Sequence, residues 1–163
     1  MSLKERLASR ARPTFTYRLR VDDTADAEKA LSDAYASFQF ASISGDTNRI
    51  DTAKKVVTDA EKALDACYEP IVLTAMKPDE FEALVDGHPV RPNTDDEAWN
   101  MDTFPKACFL ACAPADLSAD EWEGFLSESC SDGERTALFN AAIAINVRIP
   151  DPTVPKGLTE ILG

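Results

Sequence analysis

The sequence has little of what small-molecule chemistry requires. It contains a single histidine, His88, and only six glycines among 163 residues. A histidine that acts as a general base needs a positioned partner, and nothing near His88 supplies one, so we interpret it as a cap or turn residue at a helix end. The chain has no P-loop and no dinucleotide-binding glycine motif, and its few glycines argue against a phosphate-cradling loop. We therefore expect no catalytic site and no cofactor.

The four cysteines do not form a familiar metal-binding pattern. Cys108 and Cys112 are spaced i, i+4 on one helical face, but neither Cys67, Cys130 nor His88 supplies the second half of a zinc motif. The chain has no secretion signal, and 44% of its residues are hydrophobic, so disulfide staples are unnecessary. The sequence predicts reduced, buried cysteines and no metal site.

Long apolar runs and a general positive charge are also missing. No stretch is apolar enough to span a membrane or to form the core of a signal peptide, which predicts a cytoplasmic protein without a membrane partner. The net charge of −12 argues against nucleic acid as a partner. Residues 1–20 nevertheless carry +5, which leaves −17 on the remainder. This basic arm on an acidic body is either a solvated helix or a functional arm.

Helical periodicity is what the first half of the sequence does contain. A short basic helix within residues 3–10 precedes residues 14–21, whose alternating apolar side chains predict a strand. Two segments with heptad spacing follow, separated by a turn at residues 44–46, and they predict an antiparallel helical hairpin. The spaced residues are Ala27, Leu31, Ala34, Phe38 and Ala41, then Ile50, Ala53, Val57, Ala60, Leu64 and Cys67.

The predicted hairpin seam is rich in alanine, so it buries little area and needs support from the rest of the fold or from another copy. Glu69 and Pro70 are predicted to end the second helix, and residues 71–73 to form a second strand that pairs with the first. A two-stranded ribbon leaves edges that must be covered or pair with another chain. Both features predict a homo-oligomer.

The second half reads as a series of short capped helices. Pro78 begins one helix, and capping boxes at residues 94–97, 118–121 and 131–134 predict three more, the first of them carrying Trp99. Together they predict a small aromatic-rich helical bundle.

The predicted fold class is mainly α, with an N-terminal strand, a long antiparallel helical hairpin, a short second strand and a small C-terminal helical bundle. The expected parts are a basic arm at 1–13, a strand–hairpin–strand–helix unit at 14–90, the bundle at 91–148 and a Pro-rich tail at 149–163, or one domain overall.

Several segments, in a fixed order, carry a resemblance to a known family. They are RPTFTYRLRV at 12–21, the alanine-rich hairpin, ACYEPIVL at 66–73, PDEFEAL at 78–84 leading to HP at 88–89, EW at 121–122 and AIAIN at 142–146. The layout is similar to that of the small tail assembly chaperones of long-tailed, siphovirus-type phages that infect actinobacteria.

The resemblance implies a non-catalytic protein that acts in virion morphogenesis. Such a chaperone binds the long helical tape measure protein in the host cytoplasm, keeps it soluble, self-associates, and is absent from the finished virion. For binding or self-association we single out three seam residues and three strand residues, although filling of the monomer core explains them equally well. They are Phe38, Val57 and Leu64 in the seam, and Phe15, Tyr17 and Leu19 in the strand.

Three other classes stay open. A structural head–tail or tail component would remain in the particle. An acidic helical adaptor or DNA mimic would present carboxylates along one exposed face. A small helical enzyme would have a pocket with convergent polar groups near His88.

Overall fold

The computed structural model describes residues 1–147, which form seven helices and one two-stranded antiparallel sheet. The predicted fold class, mainly α with a minor two-stranded β-ribbon, is confirmed. The predicted Pro-rich tail at 149–163 lies outside the described residues. In chain order the elements are α1 Leu3–Ala8, β1 Thr14–Arg20, α2 Ala25–Ser44, α3 Thr47–Asp65, β2 Tyr68–Thr74, α4 Pro78–Asp86, α5 Phe104–Cys112, α6 Ala119–Glu128 and α7 Asp132–Val147.

Two long helices, α2 and α3, pack on each other as the predicted hairpin. Gly45 ends α2 in the left-handed conformation, with φ of 71°, which glycine adopts without the Cβ clash of other residues. The Asp46 side chain then accepts hydrogen bonds from the backbone N–H groups of Asn48 and Arg49, which begins α3. The chain therefore reverses direction over Gly45 and Asp46.

The seam predicted from heptad spacing is the surface that the hairpin covers. Ala34 and Val57 are buried, and the other predicted seam residues within α2 and α3 are partly buried. Every remaining residue of the two helices is exposed. Beside the seam, the Tyr35 hydroxyl donates a hydrogen bond to Glu61 Oε1 over 2.7 Å.

The second strand is longer than predicted. Since β2 begins at Tyr68, Glu69 and Pro70 lie inside the strand, and the prediction that they end the second helix is wrong. The helix has already ended at Asp65, with Ala66 as its C-cap. Proline is tolerated in β2 because each strand of a two-stranded sheet has a free edge, where no N–H group needs to be donated.

The later helices bury an aromatic core. Phe104 and Phe109 of α5 and Leu138 of α7 are fully buried, and α5 packs on α4 and α7. The Phe104 ring stacks on Trp99 with 4.3 Å between centroids and meets Phe81 of α4 edge-on at 5.9 Å. The sequence predicts an aromatic-rich core of helices, but Trp99, which stacks in this core, does not lie on a helix.

Trp99 belongs to an irregular segment between α4 and α5. The prediction that the capping box at 94–97 begins a helix carrying Trp99 is therefore wrong. Instead, a part-buried ion pair between Arg91 and Asp96 engages the local polar groups. Arg91 donates from Nε and Nη2 to the two carboxylate oxygens of Asp96, over 2.8 and 2.9 Å, and Asp96 also accepts the Met101 backbone N–H.

The chain divides into two compact units. One comprises residues 17–71 and contains the hairpin. The other comprises residues 1–16 and, among the described residues, 72–147. The parts expected from the sequence, with a boundary at residue 90 or one domain overall, stay a prediction.

Candidate functional site

Three of the residues predicted to bind partners lie in the hairpin seam. Val57 is buried, and Phe38 and Leu64 are partly buried. These side chains fill the contact between α2 and α3, so their first role is to stabilise the hairpin. Their use by a partner stays a prediction.

The other three predicted residues lie on β1 and differ in burial. Phe15 is exposed, Tyr17 is partly buried and Leu19 is buried. The alternation of a strand directs the three side chains to one face, but that face changes from exposed to buried along its length. Its use as a surface for another subunit also stays a prediction.

The most exposed aromatic side chain of the hairpin was not singled out from the sequence. Phe40 is 77% exposed and Ile43 is 84% exposed, both near the end of α2. With Ala36 they are spaced 4 and 3 residues apart, and helical geometry places all three opposite the seam. We call Ala36, Phe40 and Ile43 the outer ridge.

The sequence did contain a signal for the outer ridge. Phe38 and Phe40 are two residues apart, so they cannot share a helix face, and only Phe38 fits the seam. In addition, residues 34–45 contain no charged side chain, although 28% of the whole chain is charged. A partner can therefore cover the end of α2 without desolvating an ion.

His88 is held as a turn residue. Its backbone N–H donates to the Val85 carbonyl at the end of α4, and its Nδ1 lies 2.8 Å from the Thr103 hydroxyl. The ring meets Phe104 edge-on, with 6.0 Å between centroids. These contacts join the two ends of the irregular segment, and the partner of the imidazole is a hydroxyl group.

Cys108 and Cys112 are buried side by side in α5. Their mutual hydrogen bond, together with burial, raises the pKa of Cys108, whereas the bond from Cys108 lowers the pKa of Cys112. Asn146 of α7 donates from Nδ2 to Cys112 Sγ over 3.3 Å. Within residues 1–147, no group of three or more His, Cys, Asp or Glu side chains is placed to hold a metal ion.

Asn146 makes the polar connection in this core. Its Nδ2 also donates to the Ala142 carbonyl over 2.8 Å, and its Oδ1 accepts the Met76 backbone N–H over 2.9 Å. It therefore joins α7 to the segment that follows β2. The sequence offered no signal for this role, because Met76 and Asn146 are 70 residues apart.

Across residues 1–147, no helix has both the length and the apolar character that crossing a membrane requires. Compared with known proteins, the chain matches no family model, no curated protein and no solved structure at a significant level.

Proposed function

We propose that this protein is a non-catalytic phage tail assembly chaperone, which binds the tape measure protein in the host cytoplasm and keeps it soluble during tail assembly. The observation that carries the proposal is the outer ridge. Phe40 and Ile43 are largely exposed on a chain whose net charge is −12. Exposed apolar patches of this kind mark sites of protein interaction.

The spacing of the outer ridge suits a helical partner. Residues four and three apart form the same heptad pattern as the seam, so a second helix with apolar residues at heptad positions can pack along α2. From Ala36 to Ile43 the ridge is about 10 Å long, at about 1.5 Å per residue, which matches two turns of a partner helix. The tape measure protein of the resembled family is a long helical protein of this kind.

Self-association belongs to the same proposal. The hairpin seam contains Ala34, Ala53 and Ala60, which bury little area, so the hairpin has little apolar packing of its own. A second copy or a tape measure helix that packs on the outer ridge adds apolar contacts to α2 on the side opposite the seam. Either partner would present an apolar helical face to the outer ridge, and the tape measure segment is the partner expected to aggregate when it is not bound.

The test is co-expression of the chain with fragments of a candidate tape measure protein, followed by gel filtration with light scattering. We expect a soluble complex with a fragment that otherwise precipitates. Replacing Phe40 and Ile43 together by Ser abolishes the complex, whereas Val56→Ser, an exposed apolar position on α3 outside the outer ridge, leaves it intact.

Two outcomes contradict the proposal. One is a chain that leaves every fragment insoluble, and the other is a complex that survives the loss of both Phe40 and Ile43. Mass spectrometry of purified phage particles separates a chaperone from a tail component, because a chaperone is absent from the particle and a tail component is retained.

A further inference from the structure

A second surface, in the unit that begins with the arm, has a different chemistry. A groove of about 610 Å³ is lined by the arm, by residues 75–82 and by the end of α7. Its apolar lining includes Leu7, Phe81 and Ile145. Its volume lies within the range of ligand-binding clefts, about 300–1,000 Å³. None of its residues belongs to the outer ridge.

The groove is positively charged on an acidic protein. Arg10, Arg12 and Lys77 line it against one acidic residue, Glu82. Arg12 and Lys77 each form a solvent-exposed ion pair with Glu80, at 3.8 and 3.6 Å, and such pairs stabilise a structure only weakly. Arg12 Nη1 also donates to the Ala75 carbonyl over 2.9 Å, which leaves its other N–H groups to face the groove. The rim is therefore available to carboxylates of a partner.

The arm forms one wall of the groove without burying any of its own residues. No residue of α1 is buried, and Leu3 and Leu7 are 72% and 59% exposed. A helix of six residues is too short to be stable alone, and its support here includes the capping box of Ser2 and Glu5 and the C-cap at Ser9. The apolar side chains of α1 are therefore exposed enough to be covered by an occupant of the groove.

We propose that the groove binds an acidic, amphipathic segment of another protein. Apolar side chains of that segment cover Leu7, Phe81 and Ile145, and its carboxylates pair with Arg10, Arg12 and Lys77. This inference goes beyond the proposed chaperone function, because it concerns a separate surface and holds whatever binds the outer ridge.

Charge and shape favour a peptide over other anionic partners. A short acidic segment meets mainly the cationic side chains of the groove, whereas a nucleic acid or an anionic membrane extends beyond the groove and is repelled by the acidic body, which carries −17 beyond residue 20. The groove is also concave and partly apolar, which suits side chains better than a flat lipid surface or a phosphate backbone.

Fluorescence anisotropy with labelled synthetic peptides tests the proposal on the full chain. One peptide combines leucine with glutamate in amphipathic order, and a second keeps the leucines but replaces glutamate by lysine. We expect the glutamate peptide to bind at least about tenfold more tightly than the lysine peptide, and its affinity to fall as salt is raised.

Substitutions in the arm provide matched controls. Leu7→Ser and Arg10→Glu are each expected to weaken binding of the glutamate peptide by about tenfold or more. Leu3→Ser and Arg6→Glu change the same residue types on α1 but outside the groove lining, so they are expected to leave the affinity unchanged. All four positions are exposed, so folding is preserved.

Equal binding of both peptides, or equal effects of the Arg10 and Arg6 variants, overturns the proposal. A change in self-association on Arg10→Glu without peptide binding assigns the groove to a second copy. Binding to anionic phospholipid vesicles without peptide binding assigns it to a membrane. Tight, Arg10-dependent binding of a peptide with the sequence of residues 148–163 assigns it to the chain's own C-terminal residues. Each of these results also overturns the proposal. The variant with Phe40 and Ile43 replaced by Ser keeps the groove intact, so peptide binding by that variant tests the groove independently of the chaperone function.

Discussion

At the scale of single residues, Asp96 decides the path of the chain between α4 and α5. Its side chain is only 2% exposed, and its two carboxylate oxygens accept hydrogen bonds from Nε and Nη2 of Arg91. The hydrogen bonds from Arg91 hold the pKa of Asp96 well below its usual range. A carboxylate in this position is held in its charged form by a partner within the same loop.

We predict that Asp96→Asn lowers the thermal stability of the protein, since Arg91 then loses the nearly buried one of its two carboxylate partners and keeps only the exposed Asp102. A lowered folded-state pKa contributes stability that is complete above the unfolded pKa of about 3.9 and is lost as the pH falls towards the folded value. The difference in Tm between the two proteins, measured by circular dichroism, is therefore large at neutral pH and shrinks below about pH 4. Asp95→Asn, at an exposed neighbour, is the control with little effect. A difference that grows on acidification would contradict this account.

Asn146 carries a second residue-scale prediction. Asn146→Ala removes its bonds to Ala142, Cys112 and the Met76 backbone, and it leaves a part-buried N–H group without a partner. We expect the free energy of unfolding to fall by about 1–3 kcal/mol, as measured by urea denaturation. Asn140→Ala lies at an exposed position of the same helix and is expected to change stability little. Equal losses of unfolding free energy in the two variants would contradict the structural role assigned to Asn146.

At the scale of elements, the hairpin turn depends on a left-handed residue. Gly45→Ala is expected to destabilise the protein by about 1–2 kcal/mol, because a Cβ disfavours a φ of 71° even where the surrounding space is open. Gly124→Ala, inside α6 with equally open surroundings, is expected to stabilise by about 1 kcal/mol, because alanine favours the helix. Thermal denaturation measures both, and changes of the same sign would contradict the assignment of the turn.

The seam provides the second prediction at this scale. Ala34 is buried between α2 and α3, so Ala34→Leu forces the helices apart and is expected to cost about 1–3 kcal/mol of stability. Ala30→Leu introduces the same side chain at an exposed position of α2 and is expected to be nearly neutral. Chemical denaturation compares them. If both variants were equally stable, close approach of the helices at Ala34 would not be required.

At the scale of the whole molecule, the chain carries a large excess of acidic residues. The net charge is −12 at pH 7, and the calculated isoelectric point is about 4.4. Mutual repulsion opposes the association of exposed apolar surfaces such as the outer ridge, and salt screens that repulsion.

We therefore predict that self-association increases as the pH is lowered towards 4.4, and also when salt is raised at neutral pH. Light scattering across both series measures the mean mass. The variant with Ser at Phe40 and Ile43 is the control, because it keeps the charge but lacks the outer ridge and is expected to associate less. A mass that falls with added salt would instead indicate association held by opposite charges.

The sequence by itself determined the features whose physical cause is local. Heptad spacing located the hairpin seam, since the residues that meet across it recur with the helical period. The capping boxes at Ser118 and Ser131 correctly marked the starts of α6 and α7, because each cap involves residues three apart. Composition likewise determined the acidic character of the molecule.

Only the tertiary structure decided the features that depend on distant residues. The capping pattern at 94–97 does not begin a helix, because Asp96 pairs with Arg91 instead. Pro70 lies within β2, which tolerates proline because the strand has a free edge. Asn146 accepts a hydrogen bond from the Met76 backbone, 70 residues away in the sequence, and the arm and the end of α7 line the same groove. Such contacts depend on which distant side chains are brought together and desolvated on folding, and a local sequence pattern does not specify these pairings.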